Sequence, residues 1–232
     1  MSPAPHPPKD RAPQVLYGRR RGRPLRVRQA DLLSTLLPTL AVPADGALDP
    51  AALFDAPRAV WLEIGFGAGE HLAAQARMHS DVGIIGCEAY VNGVAKLLAR
   101  VERESIANVR VLLGDARALL PRLSTASIGR VFLLFPDPWP KRRHWKRRFL
   151  QPETLDDLAR TLAKGGELRV ATDWGEYARW SLALLTAHPH FEWAAEAPAD
   201  WRQRPGDWPE TRYEQKARAA GRTPVYLTFQ RK

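Results

Sequence analysis

Cysteine is almost absent from this sequence of 232 residues, and the sequence has no apolar run long enough to cross a membrane. Because Cys87 is the only cysteine, an intrachain disulfide and a cysteine-based zinc site are both excluded. The longest apolar runs, 59–64 and 131–135, are strand-sized, whereas a bilayer needs roughly 20 residues. The N-terminus also lacks the apolar stretch of a secretory signal peptide. We therefore expect a cytoplasmic protein with no membrane partner and no metal ion.

Acidic side chains are missing from two short segments that are rich in arginine and lysine. Residues 19–28 and 141–148 each contain six basic residues and no Asp or Glu. The whole chain has 35 basic and 25 acidic residues, and without these twelve the basic count falls to 23. Charge concentrated in this way is typical of a phosphate-binding surface, so we predict a nucleic-acid partner. The alternatives are an ordinary solvated face or a membrane-surface patch, although neither segment has the apolar face that lipid binding requires.

From residue 59 onward, short apolar runs alternate with amphipathic stretches of helix length. The runs at 59–64, 83–87, 109–113, 130–135 and 167–171 are predicted to be strands, and 225–229 is predicted to add an antiparallel edge strand. This alternation indicates an α/β fold with a mostly parallel, doubly wound sheet. Ahead of it we predict a disordered Pro-rich tail at 1–15 and a helix at 30–37 that Pro38 and Pro43 interrupt. Residues 16–232 are expected to form a single domain with a basic N-terminal segment.

A glycine-rich turn follows the first predicted strand and opens a helix. Gly65, Gly67 and Gly69 would expose backbone N–H groups to a nucleoside-type ligand. The dinucleotide fingerprint has a glycine where this chain has Glu70, whose carboxylate would face a pyrophosphate. A cationic or zwitterionic ligand therefore fits the turn better than a dinucleotide.

Acidic residues stand at the ends of the next two predicted strands. Glu88 lies 19 residues after Gly69, where a carboxylate can accept hydrogen bonds from both ribose hydroxyls, and Asp115 could bind an adenine amino group. Together with the glycine turn they suggest S-adenosylmethionine, whose sulfonium tolerates nearby carboxylates. The alternative is that Glu88 and Asp115 only cap the helices that follow them. Cys87 is interpreted as a buried apolar side chain.

Three prolines within five residues stiffen the loop after the fourth predicted strand. Asp137 lies between Pro136 and Pro138, beside the point where ligands bind in open α/β sheets, and is the candidate catalytic residue. The alternative is a surface turn that contains an aspartate. Trp139 either stacks on a base or packs the loop against the core.

Four motifs of the chain occur together in one known family. They are Leu62–Gly67 with Gly69-Glu70, Pro136–Lys141 with the basic run to Arg148, Ala171–Trp174 with Tyr177, and Thr211–Glu214. With these motifs and Arg21-Gly22-Arg23, the sequence resembles the bacterial tRNA (guanine-N7)-methyltransferase family, TrmB. Only the first fifteen or so residues and 42–57 fall outside this resemblance. It implies a Rossmann-like class I methyltransferase fold and methyl transfer from S-adenosylmethionine to N7 of guanosine 46 in the tRNA variable loop. It implies no obligate protein partner.

The resemblance also implies roles for individual residues. Around the cofactor it places Glu63, Gly65, Gly67, Gly69, Glu88, Asp115, Ala116 and Asp137. At the tRNA and its guanosine it places Lys141, Asp173, Thr211, Arg212, Tyr213 and Glu214. The charge pattern adds phosphate contacts by Arg143, Lys146, Arg147 and Arg148.

The chemistry of guanine N7 needs no general base, because N7 carries a lone pair and no proton. Placement of the reacting atoms should then supply most of the rate. Asp137 would either stabilise the developing positive charge or orient the guanine. Glu214 could accept hydrogen bonds from guanine N1–H and N2–H together, a pattern that adenine does not offer.

Three other functions share parts of this pattern. A class I methyltransferase for another RNA base, a protein or a small molecule would share the glycine turn, but the basic segments argue against a small substrate. A nicotinamide-dependent oxidoreductase shares the fold, but Glu70 breaks its fingerprint. A non-catalytic RNA-binding module would keep the charge and bind no cofactor.

Overall fold

A computed structural model describes residues 17–232, so the tail predicted at 1–15 lies outside the described residues. The strands are β1 (Ala59–Ile64), β2 (Val82–Glu88), β3 (Val109–Leu113), β4 (Ile128–Leu134), β5 (Leu162–Thr172), β6 (Phe191–Trp193) and β7 (Val225–Arg231). They form one seven-stranded sheet in the order β3-β2-β1-β4-β5-β7-β6. Strands β1 to β5 pair in parallel, and β7 pairs antiparallel with both β5 and β6. The prediction of a mostly parallel α/β sheet is confirmed.

Helices connect the strands and cover both faces of the sheet. They are α1 (Val27–Thr35), α2 (Leu37–Leu40), α3 (Glu70–Met78), α4 (Val91–Glu104), α5 (Ala116–Leu119), α6 (Pro152–Thr161), α7 (Gly175–Ala187), α8 (Ala199–Arg202) and α9 (Arg212–Ala219). Short 3-10 turns lie at Pro50–Leu53, Leu120–Arg122 and Arg142–Arg147.

Two apolar clusters form the core, one on each face of the sheet. Alternate residues of β1 divide between them: Leu62 faces the cluster with α5, α6 and α7, and Trp61 faces the cluster with α1, α3 and α4. This alternation follows from the two-residue period of a strand. Both faces are buried, as expected for a parallel sheet between helices.

The order of the strands fixes where a ligand can bind. The chain runs outward from β1 through β2 to β3, and then returns to β4 on the other side of β1. The connections after β1 and β4 therefore lead away in opposite directions and leave a crevice at the carboxyl ends of these strands. The glycine turn follows β1, Glu88 is the last residue of β2, Asp115 lies two residues after β3, and the Pro136–Pro140 loop follows β4.

Some element boundaries differ from the sequence-based expectations, for local physical reasons. The first helix begins at Val27 and ends at Thr35, and Pro38 lies near the start of the separate helix α2, where its missing N–H is not needed. Strand β4 ends at Leu134 because Phe135 has a left-handed φ of +50°. The C-terminal strand is antiparallel as predicted, but the short strand β6 pairs on its outer side and forms the edge of the sheet.

Candidate active site

Two adjoining cavities lie at the carboxyl ends of β1 to β4 and together form a groove. The larger has a volume of about 520 Å³ and the smaller about 170 Å³. Both are lined by Gly65, Glu88, Pro136 and Asp137, so three of the predicted site residues share one wall. The larger cavity extends to α9, and the smaller extends to Asp115 and Ala116 at the end of β3.

The glycine turn presents its backbone to this groove. Gly65 and Gly67 have φ values of +73° and +60°, which side-chain-bearing residues rarely adopt. A Cβ on Gly65 would meet no protein atom within 4 Å and would occupy space in the groove. Gly69 is placed differently: it is the N-cap of α3 and packs against Leu97 instead of lining the groove.

Glu88 connects the glycine turn to the start of α4. Its carboxylate accepts hydrogen bonds from the Gly67 N–H at 2.8 Å and the Tyr90 N–H at 2.8 Å. Burial raises the pKa of Glu88, and these two N–H donors partly offset that rise. A carboxylate has about four acceptor positions, so its two oxygens can still receive two hydroxyl groups.

Asp115 is both a helix cap and part of the groove wall. It is the N-cap of α5, where it accepts a hydrogen bond from the Arg117 N–H at 3.0 Å, and its carboxylate pairs with the Arg117 guanidinium at 3.2 Å. The predicted alternative of helix capping therefore describes the geometry of Asp115. It does not describe Glu88, whose N–H partners lie ahead of α4. Cys87, which precedes Glu88, is buried, and burial raises the pKa of its thiol.

Asp137 stands on a strained loop over both cavities. The residues on either side of Pro136–Pro138, Phe135 and Trp139, have left-handed φ values of +50° and +42°. Bulky residues are rarely held in this region, and such strain clusters at functional sites. Burial raises the pKa of Asp137, and its carboxylate makes no hydrogen bond or ion pair with any residue between 17 and 232.

The Thr211–Glu214 motif divides between structure and site. Thr211 is the N-cap of α9 and accepts a hydrogen bond from the Glu214 N–H at 3.2 Å, so Thr-x-x-Glu here marks a helix start. Arg212 and Tyr213 line the larger cavity, and the Tyr213 ring lies over Gly67. Burial, followed by the Glu88 and Asp137 carboxylates, raises the pKa of Tyr213.

Glu214 does not face the groove, contrary to its expected contact with guanine. Its side chain is 1% exposed and pairs with Arg218 at 3.0 Å and Arg204 at 3.3 Å. A carboxylate this deeply buried needs such partners, and its burial leaves no surface on which a guanine edge could reach it. In this structure Glu214 therefore anchors α9.

Glu63 is also buried away from the groove. Its carboxylate lies 2.8 Å from Nδ1 of His71 on α3, and both side chains are almost fully buried. The pair joins the end of β1 to the first turn of α3 across the glycine turn. Glu63 therefore stabilises the glycine turn through its contact with His71, and it lines neither cavity.

Two other predicted substrate contacts lie outside the groove wall. Asp173 follows β5 and pairs with Arg222 at 2.6 Å. Lys141 is exposed at the start of the 3-10 turn that carries the second basic run. Neither residue lines the two cavities. Both follow the carboxyl ends of parallel strands, which is the edge of the sheet where the groove lies.

The second basic run does not present all of its charges to solvent. Arg143 and Lys146 are exposed, while Arg147 is half-buried and lines the smaller cavity. The prediction that Arg148 contacts RNA is wrong in this structure, because its side chain is 0% exposed. It donates to the Pro138 carbonyl at 2.9 Å and pairs with Glu176 at 2.8 Å. Arg148 thereby fixes the loop that carries Asp137.

The groove has walls that sequence reasoning missed. Tyr17, Gly18 and Arg19, which precede α1, line the larger cavity, and Lys96 on α4 lines it as well. Trp139 lines the smaller cavity, so it packs at the site and not against the core. No sequence pattern pointed to the wall at Tyr17 and Gly18, because both reach the groove beside residues that are distant in sequence.

Clusters of three or more potential metal ligands are absent from the described part of the chain, residues 17–232. Within the same range no helix combines the length and apolar character that crossing a membrane requires.

Comparison with known sequences identifies closely similar proteins. A family model described as "Putative methyltransferase" matches residues 57–227. A protein of Rhodospirillum rubrum named tRNA (guanine-N(7)-)-methyltransferase is 54% identical over 222 residues, covering 93% of this chain and 87% of its own length. A protein of the same name from Paramagnetospirillum magneticum is 53% identical, covering 93% and 92%.

Solved structures share the fold at low sequence identity. The 16S rRNA methyltransferase KamB superposes with a TM-score of 0.52 at 20% identity, covering 76% of this chain and 89% of its own. A protein from Streptococcus mutans solved in complex with SAH gives a TM-score of 0.50 at 12% identity, covering 90% and 100%. These neighbours confirm the expected methyltransferase-type α/β fold.

Proposed function

The chain belongs to the tRNA (guanine-N(7)-)-methyltransferase family, and from this premise we propose that it transfers a methyl group from S-adenosylmethionine to N7 of guanosine 46 in tRNA. The observation that carries the proposal is the shared wall of the groove, where Gly65, Glu88 and Asp137 meet at the carboxyl ends of three neighbouring strands. The tRNA substrate, the variable-loop position and a cytoplasmic location are parts of this proposal.

The groove residues fit the proposed cofactor in chemistry and shape. The open space above Gly65 admits a ligand that a side chain there would block. Glu88 would hold the ribose hydroxyls, while Asp115 and Ala116 would face the adenine in the smaller cavity. Arg19 and Lys96 would supply positive charge for the carboxylate at the methionine end of the larger cavity. When bound, S-adenosylmethionine supplies an electrophilic methyl group on a sulfonium.

Asp137 would act on positive charge, because its carboxylate lies in the groove without a partner among residues 17–232. It would stabilise the cationic purine that forms as N7 takes up the methyl group, and it would also orient the base. The two prolines beside it and the buried Arg148 hold the carboxylate in place before the substrate arrives.

Purified protein, an unmodified tRNA transcript and methyl-labelled S-adenosylmethionine provide the direct test. We expect the label in 7-methylguanosine after digestion to nucleosides, and no label in a transcript whose guanosine 46 is replaced by adenosine. The Asp137→Asn variant is the matched control for a contaminating activity. Label in another nucleoside would contradict the proposed reaction, and equal labelling of the position-46 variant would contradict the proposed position.

A further inference from the structure

Residues 17–23, called the strap here, cross the open side of the groove ahead of α1. Tyr17, Gly18 and Arg19 line the larger cavity, and Tyr17 lines the smaller one too. A Cβ on Gly18 would stand 3.7 Å from Oδ2 of Asp137. The strap therefore lies directly over the candidate catalytic carboxylate and closes one wall of the groove.

Few contacts hold the strap in place, and one of them lies in its middle, where the Arg20 carbonyl accepts a hydrogen bond from the Val91 N–H at 3.0 Å. At the start, the Arg147 guanidinium lies over both the Tyr17 and Trp139 rings, at 4.6 and 4.9 Å from their centroids, and the two rings meet edge to face at 6.3 Å. At the other end, Asn92 of α4 accepts from the Gly22 N–H and donates to the Arg23 carbonyl, both at 2.7 Å. The strap is part of no helix and no strand. A segment held by so few contacts can open without unfolding the domain.

The outer side of the strap carries unpaired positive charge. Arg20, Arg21 and Arg23 are exposed, and none of them forms an ion pair with a residue of the described chain. Arginines elsewhere do find acidic partners, as Arg28 does with Asp31 and Glu102. A row of free guanidinium groups on a backbone that closes a ligand groove fits the phosphates of an RNA.

We propose that the strap couples the two ligands: tRNA phosphates on its outer arginines hold it closed, and the closed strap retains S-adenosylmethionine in the groove. This inference rests on the proposed function, which supplies both ligands. The physical basis is that each ligand favours the same closed position of one movable segment. Linkage then requires that tRNA and cofactor strengthen each other's binding by the same factor.

Equilibrium titration with S-adenosylhomocysteine measures this factor, because the product binds the groove without reacting. The dissociation constant is measured for the full chain at fixed salt, with and without a saturating unmodified tRNA transcript. We expect tRNA to lower the wild-type constant by about fivefold or more. The reciprocal titration should show the same improvement in tRNA affinity when S-adenosylhomocysteine is saturating.

Variants at the two ends of the strap test the proposed coupling independently of each other. Tyr17→Leu removes the ring that stacks on Arg147, and Asn92→Ala removes the two hydrogen bonds at the far end. Both should bring the coupling factor close to one, although Asn92 lines neither cavity. Tyr17→Phe keeps the ring and should keep the coupling. Val27→Ala, at an 89% exposed position just beyond the strap, is the matched control.

The outcomes separate this inference from the proposed function. Equal product affinity with and without tRNA in the wild type would overturn the strap proposal while leaving the enzyme assignment standing. Full coupling in both Tyr17→Leu and Asn92→Ala would likewise overturn it. If the wild type binds no S-adenosylhomocysteine under either condition, the proposed function itself fails.

Discussion

Asp137 combines three properties that a structural aspartate does not share. It lines both cavities, it has no partner among residues 17–232, and burial raises its pKa above the ordinary value of 3.8. Asp137 is nevertheless solvent-exposed, so water screens its charge and the ionised form costs the folded protein little at neutral pH. An accessible carboxylate without a protein partner is available to a cationic ligand.

Replacing Asp137 by Asn should separate activity from stability. We expect kcat/KM for tRNA methylation to fall by on the order of a hundredfold, because a preorganised charge is lost. The melting temperature at neutral pH should change little, because the side chain is solvent-exposed and has no ion-pair partner among residues 17–232 to lose. Protonation of Asp137 should lower the wild-type rate as the pH falls, and because its pKa is raised, this decline should begin at a higher pH than for an ordinary aspartate. The pH–rate profile of Asp137→Asn should lack this acidic decline. A rate within about threefold of wild type would remove Asp137 from the chemistry.

Basic residues of the second basic run differ in role, because Arg148 is buried while Arg143 and Lys146 are exposed. Arg148→Met should lower the free energy of unfolding by roughly 3 kcal/mol, because it leaves Glu176 and two backbone carbonyls without their partner. Arg143→Gln and Lys146→Gln should change it by less than about 0.5 kcal/mol. Each should instead reduce the slope of log tRNA affinity against log salt by up to about 0.9.

Thermal melts and salt titrations of the three variants give both readouts. An unchanged salt slope in Arg143→Gln and Lys146→Gln would mean that this face is only solvated.

The burial of Arg148 could not be predicted from the charge pattern, because a run of basic residues does not show which one the chain turns inward. The ring of Trp145 stacks on Arg148, and this contact exists only in the folded structure.

At the scale of elements, the start of α9 serves both the fold and the site. Thr211→Ala should cost about 1 kcal/mol of stability through loss of the N-cap, a fall of about 2 to 4 °C in melting temperature. Arg212→Ala, at the next, exposed position, should leave the melt unchanged and weaken tRNA methylation. Melts and steady-state kinetics on the two variants would contradict this division if Arg212→Ala lowered stability as much as Thr211→Ala.

Strands of the parallel sheet were predictable because their apolar runs are buried on both faces. The predicted 109–113 and 59–64 match β3 and β1 at both ends. Strand β6 was missed because three residues are too short for any period to be visible, and its pairing with β7 is what makes it a strand. The groove wall was predictable where it follows strand ends, and unpredictable at Tyr17, which reaches the site only through contacts distant in sequence.

Across the whole molecule, the groove joins parts of the chain that are far apart in sequence. Its walls come from the strap, the ends of β1 to β4 and α9, so a ligand there contacts segments of the chain that range from Tyr17 to Lys216. Sequence patterns located the strand ends but not the closure of the groove by the strap and α9. A bound ligand should therefore oppose unfolding of the entire chain, instead of tightening one loop.

S-adenosylhomocysteine should raise the melting temperature of the full chain. At a concentration of 100 times its dissociation constant, binding adds about 2.7 kcal/mol. For a protein of 232 residues this corresponds to a rise of roughly 5 to 10 °C. Gly65→Val fills the space above the glycine turn, so it should remove the rise relative to its own ligand-free melt. A wild-type melt that the ligand leaves unchanged would instead support a non-catalytic RNA-binding module, since such a protein has no reason to bind the cofactor product.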